Sequence, residues 1–220
     1  KENKKIETDW IISTSGTTKE PKLVKHKLSS LVKTTKMDLS NNKKFIWGLS
    51  YDLYRFAGLQ VLFQSLCSGS TLVIPKNISD MIEVIKIFRK QKINSLSATA
   101  TYWRKFLMQK HSGDINFKTI TLGGEIADNQ ILNALKKKYP DAKISHIYAS
   151  TEAGVGFAVR DGMAGFPKSY LTDGFDNKKF KVDKNNQLMI LDKNQVQNYV
   201  SSNDCLYDSD GFIPTGDIIE

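Results

Sequence analysis

Between residues 45 and 148 the chain alternates short apolar runs with longer amphipathic ones, and that rhythm leaves few folds open. Phe45-Ile46-Trp47, Thr71-Leu72-Val73-Ile74 and residues 95–98, 119–122 and 144–148 read as strands, too short for helices and mostly apolar or β-branched. Residues 53–66, 81–91, 102–110 and 129–139 place apolar side chains at helical spacing. Their ends carry stop and start signals. Gly69 follows the first, Ser79 or Asp80 can accept from the unpaired amides of the second, and Pro140 closes the last. Strands that alternate with helices predict a parallel sheet with its crossovers on the faces. The expected class is therefore α/β, a mostly parallel sheet with helices on both faces.

The flanks are less regular. Trp10-Ile11-Ile12-Ser13 reads as a strand, residues 14–22 as a polar loop and residues 28–39 as a helix. Beyond residue 154 helical periodicity fades, and residues 179–191 show a β pattern around Asn185-Asn186, a turn-favouring pair. The expected organisation is an α/β subdomain over residues 1–154 and a smaller, mainly β subdomain over residues 155–220.

Composition narrows the function classes. With 220 residues, 40% of them apolar, the chain can bury a proper core. No apolar run is long enough to cross a bilayer, because Gln60 and Gln64 interrupt the best candidate. The start, Lys1-Glu2-Asn3-Lys4-Lys5, leads into no signal core, and Cys67 and Cys205 read as reduced thiols of a cytoplasmic protein. His26, His111 and His146 are scattered, without zinc spacing. The net charge of +9 admits a nucleic-acid partner or a lysine-solvated surface. The lysines favour the second, being spread along the chain, and the densest run, Lys136-Lys137-Lys138, sits where a helix C-terminus favours cations. Neither a nucleic-acid nor a membrane partner is expected. Oligomeric state is not indicated.

Four loops carry polar chemistry. The first, Ser13-Thr14-Ser15-Gly16-Thr17-Thr18-Lys19-Glu20-Pro21-Lys22, offers hydroxyls, amides and a cation to phosphate oxygens, although a polar surface loop has the same composition. It lacks the second glycine and Lys-Ser or Lys-Thr pair of a Walker loop. Leu122-Gly123-Gly124-Glu125 follows a strand, where paired glycines let a flat ligand lie on the backbone or simply make a strand–helix turn. In Tyr148-Ala149-Ser150-Thr151-Glu152-Ala153-Gly154 an aromatic, hydroxyls and a carboxylate occur together. They suit a base, a phosphate and magnesium, or else a buried Tyr and a helix cap at Ser150 or Thr151. Asp210-Gly211-Phe212-Ile213-Pro214-Thr215-Gly216-Asp217 offers a carboxylate that fits paired ribose hydroxyls, or a β-turn.

The order of these four motifs resembles the AMP-binding, or adenylate-forming, superfamily, which includes acyl- and aryl-CoA synthetases, amino-acid adenylation domains and luciferases. The resemblance runs from Trp10 to the end of the chain. It implies ATP-dependent activation of a small-molecule carboxylic acid as an acyl-adenylate, with transfer to a thiol of coenzyme A or an acyl carrier protein. Thr14, Ser15, Gly16, Thr17 and Thr18 with Lys22 would hold the β- and γ-phosphates. Gly123, Gly124 and Glu125 would flank adenine, with Tyr148 stacked on it and Ala149 and Ser150 beside it. Thr151 would contact the α-phosphate, Glu152 would hold Mg2+ and Asp217 the ribose. Lys22, Thr151 and Glu152 would carry the catalysis.

Several positions depart from the family pattern. Lys19, Leu23 and Ala149 replace usual glycines, and the first two bear on the motion of the phosphate loop. The family's long preceding segment and its C-terminal mobile domain, with a catalytic lysine, are not in this sequence. The resemblance therefore implies a truncated nucleotide-binding core, poor at adenylation by itself. The acyl pocket would include Tyr51, Asp52, Arg55 and His146. Asp52 resembles the carboxylate that grips the α-ammonium in amino-acid-activating members, while Arg55 could pair with a carboxylate or with Asp52. An aryl- or fatty-acid ligase using coenzyme A is the alternative within the enzyme class. A non-catalytic nucleotide-binding or interaction module that keeps the fold is the alternative outside it.

Overall fold

A computed structural model describes residues 8–14, 21–35, 45–192, 198–200 and 207–219. The chain forms two compact units. One comprises Lys1–Thr34, Ser150–Gly156 and Lys168–Glu220, the other Thr35–Ala149 and Phe157–Pro167.

Strand β1 (Asp9–Ser13) pairs antiparallel with β2 (Leu23–Lys27), setting Trp10 opposite His26 and Ile12 opposite Val24. The predicted polar loop therefore gives way to a strand one residue after Lys22. Its cause is a period of two hidden among lysines. Val24 and His26 are buried while Lys25 and Lys27 point the other way, where both reach Asp9. The predicted helix over residues 28–39 is only α1 (Leu28–Leu31) among the described residues; residues 36–39 lie outside them.

The alternating region folds as its pattern requires. Strand β3 (Ile46–Gly48), helix α2 (Phe56–Cys67), β4 (Thr71–Val73), α3 (Met81–Lys90), β5 (Ser95–Ala98), α4 (Ala100–Leu107), β6 (Thr119–Gly123), α5 (Asn129–Lys138) and β7 (Lys143–Ser150) follow one another. The strands lie in the order β4-β3-β5-β6-β7, all of these pairs parallel. Capping residues start the helices. Asp80 accepts from the amides of Ile82 and Glu83, both at 3.1 Å, Thr99 from Tyr102 at 3.1 Å and Asp128 from Ile131 at 2.9 Å. Between α3, α4, α5 and alternate residues of β5 and β6 lies one core containing Phe88, Leu96, Trp103, Phe106, Ile120, Leu122 and Leu135. Each such side chain contributes about 1.5–3 kcal/mol by leaving water. Trp103 anchors it, edge-on to Phe106 and Phe117, while its indole N–H donates to the Thr121 carbonyl at 3.1 Å.

The strand beyond residue 154, β8 (Gly154–Val159), joins the same sheet beside β7. After the short helix α6 (Ser169–Asp173), β9 (Lys178–Val182) and β10 (Gln187–Asp192) form the expected hairpin. Asn186 turns it at φ +59°, and Asp183 accepts from the amides of Asn185 and Gln187. Strand β11 (Asn198–Tyr199) adds to β2, and β12 (Ile213–Ile218) adds to β10. The protein is thus α/β, with a mostly parallel sheet and separate small antiparallel sheets. Among the described residues no helix is long and apolar enough to cross a membrane.

Candidate functional site

The strand order reverses at β3. The chain goes outward from it to β4, then returns to β5 on its other side. Crevices for ligands open at the carboxyl ends of strands around such reversals. The segment leaving β3 carries Tyr51, Asp52 and Arg55, and the segment leaving β6 carries Gly123, Gly124 and Glu125. Tyr51 joins the two, its hydroxyl donating to the Gly123 carbonyl at 3.0 Å. Burial, with the Glu125 carboxylate nearby, pushes the Tyr51 phenol well up from its ordinary value. Gly124 sits at φ +80°, a conformation that favours glycine. The Glu125 carboxylate accepts from the Thr101 amide at 2.7 Å, so it supplies a cap to α4 from another segment.

Asp52 is exposed, and its carboxylate accepts from the Tyr54 amide at 2.9 Å. A buried Asp52 would have spoken against an aliphatic acid; this exposed one does not. Gly58 explains the path of the segment. A Cβ there would lie 2.1 Å from the Asp52 carbonyl oxygen, so only glycine lets the backbone rest on the start of α2.

On β7, Gly123 of the neighbouring strand stands opposite Ile147, which places the paired glycines alongside Tyr148. Phe157 stacks on Tyr148, centroids 5.2 Å apart at 18°, and Phe166 packs on Phe157 in turn. The plane of the tyrosine is therefore fixed by a partner that its own motif does not contain. Ala149 follows it, half-buried. His146, two residues earlier and so on the same face of the strand, contacts the Met163 carbonyl through Nε2 at 3.0 Å. Burial holds its pKa below the usual imidazole value, against the opposing pull of that carbonyl and of Asp161.

The other unit holds the remaining polar groups. Thr14 and Lys22 close the first motif reciprocally. The Thr14 amide donates to the Lys22 carbonyl at 2.8 Å, and the Lys22 amide donates to the Thr14 hydroxyl at 3.1 Å. Ser15, Gly16, Thr17 and Thr18 lie outside the described residues. Ser150 Oγ accepts from the Ala153 amide at 2.9 Å, so it closes a turn into β8 instead of capping a helix. Thr151 and Glu152 occupy that turn, half-buried. His26, fully buried on β2, hydrogen-bonds the Thr151 main chain, and burial brings its pKa down to about 4. The sequence carries no local sign of that pairing beyond the two-residue period of Leu-Val-Lys-His-Lys.

Thr215, Gly216 and Asp217 sit within β12, where the register against β10 shifts between Gln187 and Met189. They form a bulge, with Gly216 at φ +82°, and not the β-turn the sequence allowed. The turn is earlier, at Gly211, and Asp208 organises it by accepting from the amides of Asp210 and Phe212. Thr215 ties the bulge to the Leu188 carbonyl at 2.8 Å and accepts from the Asp217 amide at 3.2 Å. The Asp217 side chain is exposed.

Among the described residues no group of three His, Cys, Asp or Glu side chains could enclose a metal ion. Magnesium bound with a nucleotide asks for less, because phosphates and water complete its octahedron around one or two protein carboxylates. Glu152 meets that demand.

Comparison with known proteins places these features in context. A family model described as AMP-binding enzyme matches residues 3–198. Gramicidin S synthase 2 of Brevibacillus brevis is 26% identical over 159 residues, 70% of this chain and 4% of that protein. D-alanine–D-alanyl carrier protein ligase of Staphylococcus aureus (strain JH9) is 30% identical over 163 residues, 68% of this chain and 32% of that protein. The structure of O-succinylbenzoate coenzyme A synthetase from Bacillus subtilis, in complex with ATP and magnesium ion, superposes with a TM-score of 0.71 at 18% identity. That match covers 94% of this chain and 46% of the other, and it shows a shared fold. This chain thus spans less than half the length of each of these relatives.

Proposed function

Because the chain belongs to the AMP-binding enzyme family, we propose that it supplies the nucleotide-binding part of an AMP-forming ligase, which activates a carboxylic acid as its acyl-adenylate. The observation that carries this reading is the adjacency of two motifs at the carboxyl ends of the parallel neighbours β6 and β7. Gly123 and Gly124 there lie alongside a Tyr148 whose ring plane is fixed.

In this reading Gly123, Gly124 and Glu125 flank adenine. Tyr148 stacks on it, and Ala149 and Ser150 pass beside it. Glu125 acts partly through α4, whose amide it caps. Asp217, presented on a bulge, accepts from the ribose hydroxyls. Thr151, whose main chain His26 holds, donates to the α-phosphate. Thr14 and Lys22, with Ser15, Gly16, Thr17 and Thr18, take the β- and γ-phosphates. Magnesium, when bound with ATP, neutralises phosphate charge, and Glu152 is the residue that holds it. These groups orient the nucleotide and offset the charge that develops as a carboxylate oxygen attacks the α-phosphorus and pyrophosphate leaves. Positioning and electrostatics do the catalysis, without a protein nucleophile.

The acid enters near Tyr51, Asp52, Arg55 and His146. Asp52 is a candidate partner for an α-ammonium, and the ligase of D-alanine among the relatives favours an amino acid. The same relative and the coenzyme A synthetase leave two thiol acceptors, a carrier protein and coenzyme A.

Equilibrium binding tests the nucleotide half. Glu152→Gln weakens ATP binding in the presence of magnesium and leaves binding without it unchanged, whereas Asp217→Ala weakens ATP and AMP alike. Binding that neither substitution affects would remove the assignment.

A further inference from the structure

Lys22 is the phosphate-facing cation of the reading above, and its ammonium lies 4.8 Å from the ring centroid of Tyr199. The two are 177 residues apart in the sequence, and the sheet brings them together. Tyr199 stands opposite Val24 across the β11–β2 pair, and the Val200 amide donates to the Leu23 carbonyl at 2.9 Å. Lys22 precedes Val24 by two residues, so it projects from the same face and is the diagonal neighbour of Tyr199. Long side chains meet at that spacing. Thr14 fixes the other end of the lysine, its amide donating to the Lys22 carbonyl and its hydroxyl accepting from the Lys22 amide. The backbone of Lys22 is therefore held by Thr14, just past β1, and its ammonium lies over a ring carried by β11.

An ammonium over an aromatic face is attracted by the ring quadrupole, and one already restrained loses less freedom when a ligand takes it. We propose that Tyr199 is a positioning residue for Lys22, whose ring presets the ammonium beside the Thr14 clasp for a polyphosphate and so favours ATP over AMP. This rests on the reading of Lys22 as a β- and γ-phosphate contact. It adds to that reading a residue that lies in none of the four motifs.

Calorimetric titration with magnesium-ATP and with AMP tests it on the wild type, Tyr199→Leu, Tyr199→Phe and Lys22→Ala. Tyr199→Leu should weaken ATP binding about fivefold and leave AMP unchanged, while Tyr199→Phe keeps wild-type affinity for both. Adding Tyr199→Leu to Lys22→Ala should cost nothing further, because the ring then has no cation to place. Unchanged or tighter ATP binding by Tyr199→Leu overturns the proposal, as does an equal loss for ATP and AMP. If Lys22→Ala changes neither affinity, the Lys22 reading is overturned instead, and the proposal falls with it. Lys22 itself gives a test without nucleotide. In the wild type its ε-methylene protons, bonded next to the ammonium that lies over the ring, should resonate upfield of other lysines, and ordinary shifts there overturn the proposal even if the leucine variant does not fold.

Discussion

Lowering the pH should destabilise this protein through His26 before any carboxylate titrates. His26 is fully buried, and its pKa falls from 6.5 to about 4 because burial disfavours the imidazolium. Above pH 6.5 the ring is neutral folded or unfolded, and it adds no pH dependence. Below that the unfolded chain takes up a proton that the folded chain refuses, so stability falls until the pH reaches about 4. From about pH 6.5 down to about pH 5 is about 1.5 units at about 1.36 kcal/mol each, a loss of about 2 kcal/mol. Urea unfolding at about pH 7 and about pH 5 measures it, with His26→Leu as the reference that lacks the titration. The wild type should lose about 2 kcal/mol more than the variant over that interval. An equal loss in both proteins refutes the argument, because it means that the imidazole is not held neutral. The prediction also bears on the site, since His26 holds the main chain of Thr151.

The remaining predictions concern packing and caps. Trp103→Ala should cost about 3–5 kcal/mol, read from urea midpoints, because it opens a cavity between Phe106 and Phe117 and leaves the Thr121 carbonyl without its indole donor. Gly58→Ala should cost about 1–3 kcal/mol and shift the segment from Tyr51 to Arg55, since its Cβ would meet the Asp52 carbonyl; thermal unfolding gives the first and acid affinity the second. Asp80→Ala removes the acceptor for two amides at the start of α3 and should cost about 1 kcal/mol, whereas Asp80→Asn should be nearly neutral.

Much of the large sheet could be read from the sequence because local and tertiary signals agree there. Asp80, Thr99 and Asp128 each supply a cap just ahead of a helix, and Trp103, Phe106 and Phe117 all face one core. Strand β2 was hidden because lysines occupy its outward positions and mask the burial of Val24 and His26. The bulge at Thr215-Gly216-Asp217 looked like a turn, since a glycine at positive φ serves both. In the site, the order of the motifs was legible and their partners were not. His26 on Thr151 and Tyr199 on Lys22 join positions far apart in the chain, and Phe157 meets Tyr148 across the β7–β8 pair, so no spacing within a motif records these contacts.

The central claim is that these motifs serve adenylate formation, and pyrophosphate exchange into ATP tests it most directly. Run with the whole ligase of which this chain supplies the nucleotide-binding part, against amino, aryl and aliphatic acids, the exchange should depend on one class of acid and on magnesium, and should be lost in Thr151→Val and Glu152→Gln. Exchange with no acid in the panel, or exchange that survives both substitutions, would contradict it.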